Sequence, residues 1–430
     1  MDLLSRNGEL VVGKQGGIDR YRLIAAFLVI AIHTSPLLSV NENADFFLTR
    51  IFARMAVPLF LMITGRYVAA KFWENDPDEK GSSAAVLLRF LKKIAILYGI
   101  SVVLYLPVGM YAGHYKQITV TGIFRMLVFD GTFYHLWYFP ACMLGMVIVW
   151  GCSRIGKNHQ REMKNNEHRN DANNVISVSR NNANRNDVKE EILAQISDVG
   201  FRITFVIVII LYILGLLGDS YYGLTTQIPV LKTMYDGMFQ VFSYTRNGIF
   251  LVPIFLMIGV WFAKVERENT VQNDSYWEMS EPKRWNRKRA GLGLLISLVF
   301  MTVEGFALHA ADWQRHDSMY VMLPIVMIFL YIWICAKPQE PSKKLRSLST
   351  WIYILHPAVI VVVHVLPGSL GKEIAGNSLL NYVAEHKDDY LTTYGSISKQ
   401  SVGGILRALL PLENQGGDLF FGEPDLDIYD

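Results

Sequence analysis

Nine long apolar runs divide the chain, at residues 21–40, 51–70, 92–112, 136–152, 202–218, 248–264, 291–310, 319–336 and 349–366. Each is close to the ~17–25 residues that carry a helix across a bilayer core. The pattern predicts an all-α fold, a polytopic transmembrane helix bundle with nine spans. Between spans five and six, residues 228–243 predict a short interfacial or re-entrant helix, because Lys232 and Asp236 oppose a full crossing. Beyond residue 366 no apolar run is long enough to cross, Gly403 to Leu412 included.

The polar connections alternate in basic charge. Arg6, Lys14, Arg20 and Arg22 precede or open the first span, and the segments 71–93, 153–202, 264–290 and 337–346 are rich in Lys and Arg. The segments near 41–50, 113–134, 219–247 and 311–318 are poor in them. Retention of cationic loops in the cytoplasm places residues 1–20 inside and the chain after residue 366 outside. The organisation expected is a cytoplasmic N-terminus (1–20), a transmembrane domain (21–366) and a loosely ordered polar tail (367–430). An Asn-rich loop at 157–191 lacks the apolar residues for a core and is expected to be disordered on the cytoplasmic side.

Composition adds little to this picture. The 430 residues are 51% hydrophobic and 12% aromatic, and the formal charge of +3 is segregated by membrane side. Cys142, Cys152 and Cys335 lie in or at the ends of spans, so neither a disulfide framework nor a cysteine metal motif is expected. The first apolar run leads through His33 to Ser35-Pro36 without a small-residue cleavage site, and reads as a retained span. No internal repeat of the transporter kind is visible. The expected location is a bacterial plasma membrane, the expected partner a lipid bilayer, with no nucleic acid and no metal.

Function must then be sought in polar groups at membrane depth. In span one, Arg22 and His33 are eleven residues apart, which returns nearly to the same helix face with a rise of about 16 Å. Arg22 falls at the inner edge, as a snorkelling anchor or a ligand-binding cation. His33 falls beyond the midpoint, where an imidazole is a proton carrier or a hydrogen-bonded bundle residue. Span two holds Arg54 about one turn below the outer surface, beside Pro58, whose missing N–H frees a carbonyl. Three clusters lie near the outer face: Asp130 to Tyr138 with His135 and Trp137, Tyr244-Thr-Arg246-Asn247, and His309 to Tyr320. The His316-Asp317-Ser318 run is no hydrolase triad, since triad members meet in space and not as neighbours. Glu304, an acid inside span seven, requires a partner, with Arg54 and Arg246 both eligible. Tyr353 and His356 stand in span nine, followed by Pro357.

Arg22-x10-His33, the Arg54 to Gly65 run with Val57-Pro58-Leu-Phe, His135-Leu-Trp137-Tyr138 and Tyr353-Ile-Leu-His356-Pro357 together resemble the acyltransferase 3 family of multispan membrane proteins. The resemblance runs over about residues 17–366. Gly218 to Gly223, Tyr244 to Phe250 and His316 to Tyr320 look like one subgroup of it, the membrane domain of the vancomycin-resistance serine racemases. The family resemblance implies transfer of an acyl group from a cytoplasmic donor, such as acyl-CoA, to a hydroxyl of an extracytoplasmic glycan or lipid-linked sugar. His33 would be the catalytic base and Arg22 part of the donor site. Arg54, His135, Trp137, Tyr138, Arg246, Glu304, Tyr353 and His356 are the candidates for substrate binding.

The subgroup likeness implies another role, supply of serine to a pyridoxal-phosphate racemase domain. No such domain or Schiff-base lysine segment is visible here, and the family's usual tenth span is missing, so no racemase activity and no pyridoxal phosphate site are expected of this chain. Three readings follow: an O-acyltransferase, a carrier or binding module for a small zwitterion such as serine, which could serve a separate cytoplasmic enzyme, and a truncated inactive relative.

Overall fold

The computed structural model describes residues 17–73, 82–111, 119–154, 182–274, 286–337 and 341–365. Among these residues there are helices, turns and bends and no strand. In chain order the helices are α1 (Gly17–Thr34), α2 (Glu42–Trp73), α3 (Ser83–Tyr111), α4 (Val120–Arg125), α5 (138–154) and α6 (Asn182–Leu217). They continue with α7 (Tyr222–Gln227), α8 (Pro229–Val241), α9 (Val252–Asp274), α10 (Arg287–Ala310), α11 (Leu323–Cys335) and α12 (Lys343–Val365). A helix therefore overlies each of the nine apolar runs, and α8 occupies the stretch expected to form a short helix.

Among the described residues four segments are long and apolar enough to cross a membrane: Glu42–Trp73, Ser83–Met110, Val199–Leu217 and Arg287–Ala310. Their outer faces explain why a bilayer and not water suits them. On α10, Leu292, Leu295, Ile296, Val299, Phe300 and Val303 are all about half exposed or more. That spacing is one helical stripe, and an exposed apolar stripe of this length marks contact with lipid or protein. Ile203, Val206, Ile210 and Ile213 make the corresponding stripe on α6.

The interior is organised around α9, buried continuously from Phe250 to Val260. It packs most closely on α2, and two glycines permit that approach. A β-carbon at Gly65 would collide with the Leu256 carbonyl, and one at Gly259 with the Met62 carbonyl. Small residues that let backbones meet are the usual means of close packing between membrane helices. The amphipathic α1 lies on α12, and α10 on α11.

Several boundaries differ from expectation. Span one ends at Thr34 and not near residue 40, because Ser35 adopts a positive φ of 41° before Pro36. Span eight shortens to the 13 residues of α11, roughly 20 Å. Its expected first residues are instead held in a loop by two acids described below. Helix α6 begins at Asn182, so residues 182–191 of the expected Asn-rich loop are helical. Val188 to Ile192 are fair to good helix formers. The rest of that loop, the first 16 residues and the 367–430 tail lie outside the described residues.

Candidate active site

Helix α1 sets the axis of the site. Ile18, Ala25, Ala26 and Val29 are buried, and Arg22 and His33 fall on the same stripe by their spacing. Both residues face the bundle and not its exterior. At the N-terminal end of α1, which the charge pattern expects to face the cytoplasm, buried Asp19 accepts from the Ser342 N–H (2.9 Å) and from Arg346 Nε (3.3 Å), and pairs with Arg22 at 3.7 Å. One carboxylate thus ties the start of α12 to α1 and leaves a guanidinium in excess. Arg22 Nε is buried without a partner, and the charge of Arg22 is felt by Tyr138 of α5.

Further along, Tyr138 and Tyr353 lie with ring centroids 5.5 Å apart. The Tyr353 hydroxyl donates to the His135 carbonyl at 2.6 Å. That contact joins α12 to the turn that opens α5. The turn itself depends on Gly131, whose φ of 80° and close approach to the Trp137 backbone exclude a side chain.

Three histidines converge at the other end of this seam, the end that the charge pattern expects to face outward and that is called outer for that reason. The rings of His33 and His356 are nearly parallel, 5.4 Å apart, and His135 meets His356 edge-on at 5.4 Å. Tyr134 lies 4.8 Å from His33. Pro357 has no N–H to offer the Tyr353 carbonyl, and His356 Nδ1 takes that place at 2.8 Å, with Ile352 O at 3.1 Å. Carbonyl oxygens only accept, so Nδ1 carries hydrogen and, in the neutral ring, Nε2 is the bare nitrogen. Nε2 is buried and without a partner. The Tyr105 hydroxyl fills the break in α12, donating to Ile354 O (2.6 Å) and accepting from the Ala358 N–H (3.3 Å). Among the described residues no group of histidines, cysteines and acids is arranged to hold a metal ion.

A second polar group closes the outer side. Helix α2 begins irregularly, with a π-helical turn at Phe46–Ile51 and a 3-10 turn at Phe52–Met55. Such turns often mark functional sites. Here they bring Arg50 (3.1 Å) and Arg54 onto the one carboxylate of Asp317. Arg54 therefore finds Asp317 and not Glu304. Glu304 in turn pairs with no arginine among the described residues: it accepts from the Tyr221 hydroxyl (2.8 Å) and from the Val321 (2.6 Å) and Met322 (3.0 Å) amides. It holds the two amides that lead into α11, a structural task. Asp219 does the same for the loop, accepting from the Ser318 (2.7 Å) and Met319 (3.0 Å) amides with Oδ1, while its buried Oδ2 has no partner.

Arg246 lies between these two groups. Its guanidinium sits 5.3 Å from the Trp137 ring centroid and 4.5 Å from that of Tyr244. The Tyr244 ring in turn meets His316 at 4.6 Å. Arg246, Arg54 and Arg50 all lie within electrostatic reach of His33, so the outer charges and the histidines share one interior.

The loop groups titrate according to this crowding. Burial raises the Asp219 carboxyl to about 6, against the opposing pull of the Ser318 amide. Burial acts the same way on Asp317, but Arg54, then Arg50 and Arg246, override it and hold that carboxyl below its usual range. Burial, then Arg246 and Arg315, bring His316 down to about 4.

The structure thus gathers His33, His135 and Tyr353 around His356, with Tyr138 against Tyr353 and Arg22 at the far end of α1. It sets Trp137 against Arg246, pairs Arg54 with Asp317, and commits Glu304 to the loop amides before α11. Sequence reasoning did not select Asp317, Arg50, Tyr105 or the inner clasp of Arg66 with Glu266 and Tyr331. The four-residue spacing of Arg50 and Arg54 is a signal that would have found Arg50.

A model of the acyltransferase domain family matches residues 15–164. A second, the C-terminal part of HerA-like helicases, matches residues 375–430, outside the described structure. An amino-acid racemase of Enterococcus faecalis is 30% identical over 86% of this chain and 44% of its own length. A second from that organism is 34% identical over 71% of this chain and 34% of its own. A serine/alanine racemase of Enterococcus gallinarum is 31% identical over 86% of this chain and 44% of its own. The chain spans less than half the length of each of these relatives. No solved structure matches it at a significant level. Residues 15–164, which hold Arg22, His33, Arg54 and His135, match the acyltransferase domain family, within a chain homologous over most of its length to part of these racemases.

Proposed function

We propose that this protein is a multi-pass plasma-membrane O-acyltransferase with its N-terminus in the cytoplasm. It takes an acyl group from a cytoplasmic thioester donor such as acyl-CoA and passes it to a hydroxyl of an extracytoplasmic glycan or lipid-linked sugar. The observation that carries the reading is the inward stripe of α1. A guanidinium with an unpartnered Nε stands at one end and His33, among two further imidazoles, stands at the other.

The donor's phosphates meet Arg22 beside Arg346, and its thioester extends along the Tyr138–Tyr353 seam toward His33. His33 accepts the acceptor's hydroxyl proton as the oxygen attacks the thioester carbonyl. The C–S bond then breaks, and the thiolate leaves and takes up a proton. The guanidinium field of Arg50, Arg54 and Arg246 favours the negative charge that develops on the carbonyl oxygen.

A second reading, a binding or uptake module for a small zwitterion such as serine, is favoured by the unpartnered Asp219 Oδ2 and by the racemase names of the relatives. Asp219 would hold the ammonium. The two readings separate in proteoliposomes, where acyl-CoA consumption with a glycan acceptor is compared with uptake of radiolabelled serine. Donor consumption that depends on the acceptor supports the first. Serine uptake without donor consumption replaces it with the second.

A further inference from the structure

The arginines on the outer side of the site are not all ion-paired among the described residues. Arg50 and Arg54 share Asp317, and Asp219 and Glu304 are engaged by backbone amides of the loop before α11. Arg246 has no ion-pair partner among the described residues, and its Nε is buried without a hydrogen bond. It is also held in place. On one side Thr245 Oγ1 donates to the Gly215 carbonyl at 2.8 Å. On the other, Asn247 Oδ1 accepts from the Ile249 amide at 2.8 Å, and its Nδ2 donates to Tyr244 O at 2.9 Å. Trp137 and Tyr244 line the guanidinium with aromatic faces. A cation pinned at its backbone, flanked by aromatic rings and in ion-pair contact with no acid among the described residues is built to receive one.

We infer that Arg246 is the anchor for a carboxylate on the acceptor, so that the molecule acylated carries both a carboxylate and a hydroxyl. A planar guanidinium matches a carboxylate through two parallel N–H···O bonds. The arginine lies within electrostatic reach of His33, so a carboxylate held there directs a nearby hydroxyl toward the base. Two sources share this chemistry: a free small hydroxy acid, and an acidic sugar within a glycan. The orientation by His33 rests on the acyl-transfer reading; the carboxylate binding does not.

The test is equilibrium binding to the purified full-length chain in detergent, without donor, read by tryptophan fluorescence and by calorimetry. Trp137→Phe identifies the optical signal from the ring beside Arg246. The probes are glycerate, serine, serinamide and glucuronate. Serine should bind at least tenfold more tightly than serinamide, which lacks the carboxylate. Arg246→Gln should weaken the binding of every carboxylate roughly 10- to 100-fold, as expected for loss of a charged hydrogen-bonding partner, while Arg246→Lys retains part of it. Preference for glycerate points to a free acid, and preference for glucuronate to a sugar acid. Equal binding of serine and serinamide, binding unchanged in Arg246→Gln, or no binding of any carboxylate overturns the inference. The comparison of serine with serinamide uses the unmodified protein and decides the matter even where a variant fails to fold. Acyl transfer to a neutral glycan in the absence of carboxylate binding sinks this inference and leaves the proposed function standing.

Discussion

The histidine cluster and the arginine–aspartate cluster share one interior but are stabilised in different ways. The histidines pack as rings: His33 lies against Tyr134 and His356, and His135 and His356 both carry ring nitrogens without partners. The outer cluster is knitted by charge, with two guanidiniums on Asp317 and two further acids gripping loop amides. Partnered groups fix structure, whereas unpartnered ones are left for a ligand or a proton. On the proposed function this difference gives the chemistry to the histidines and the architecture to most of the outer charges, with Arg246 an outer cation in no ion pair among the described residues.

Substitutions should separate the two clusters. His33→Ala should lower acyl transfer by roughly 10²–10⁴-fold, the usual contribution of a general base, with little change in thermal unfolding. Transfer retained at the wild-type rate would remove His33 from the chemistry. Asp317→Asn should act in the opposite manner. It leaves Arg54 buried and unpaired, which costs about 3–5 kcal/mol, and should appear as a large fall in unfolding midpoint. Arg50 is about half exposed, so Arg50→Ala should cost no more than about 1 kcal/mol. Equal losses from Arg50→Ala and Asp317→Asn would show that the outer pair is not the buried clasp described here.

The pH dependence of stability sharpens the comparison within the loop. Asp219 has a folded value of about 6, above its unfolded value near 3.8. Its burial penalty is absent below about 4 and complete above about 6, so this group lowers stability as pH rises through that window. The penalty is of order 2–3 kcal/mol. His316 is the reverse. Its folded value of about 4 lies below 6.5, and stability is lost as pH falls from 6.5 to 4 because the unfolded chain binds the proton first. The two slopes oppose one another. Asp219→Asn should leave a midpoint that rises between pH 4 and 6.5, and His316→Gln one that falls. Denaturant titrations of both variants across that range check the signs, and matching slopes would contradict the burial assigned to these groups.

Much of this was legible in the sequence because it is local. The eleven-residue spacing of Arg22 and His33 fixes their common face without knowledge of any other helix. Gly131 and Pro357 mark a turn and a break by chemistry alone. What could not be read is pairing across the bundle. Arg54 and Asp317 lie 263 residues apart, and nothing along the chain chooses Asp317 over Glu304. The shortening of span eight has the same origin: Met319 and Tyr320 are apolar enough for a helix, but Asp219 and Glu304 claim the amides of the surrounding loop. Hydropathy registers burial and cannot register which acid reaches which amide.

The central claim is that donor and acceptor meet from opposite faces along the Arg22–His33 stripe. Sealed proteoliposomes of known protein orientation test it, with labelled acyl-CoA supplied only on the Arg22 side and the hydroxyl acceptor only on the other. The account requires label on the acceptor, with none when His33 is replaced by alanine. Transfer seen only when donor and acceptor share one compartment would contradict it.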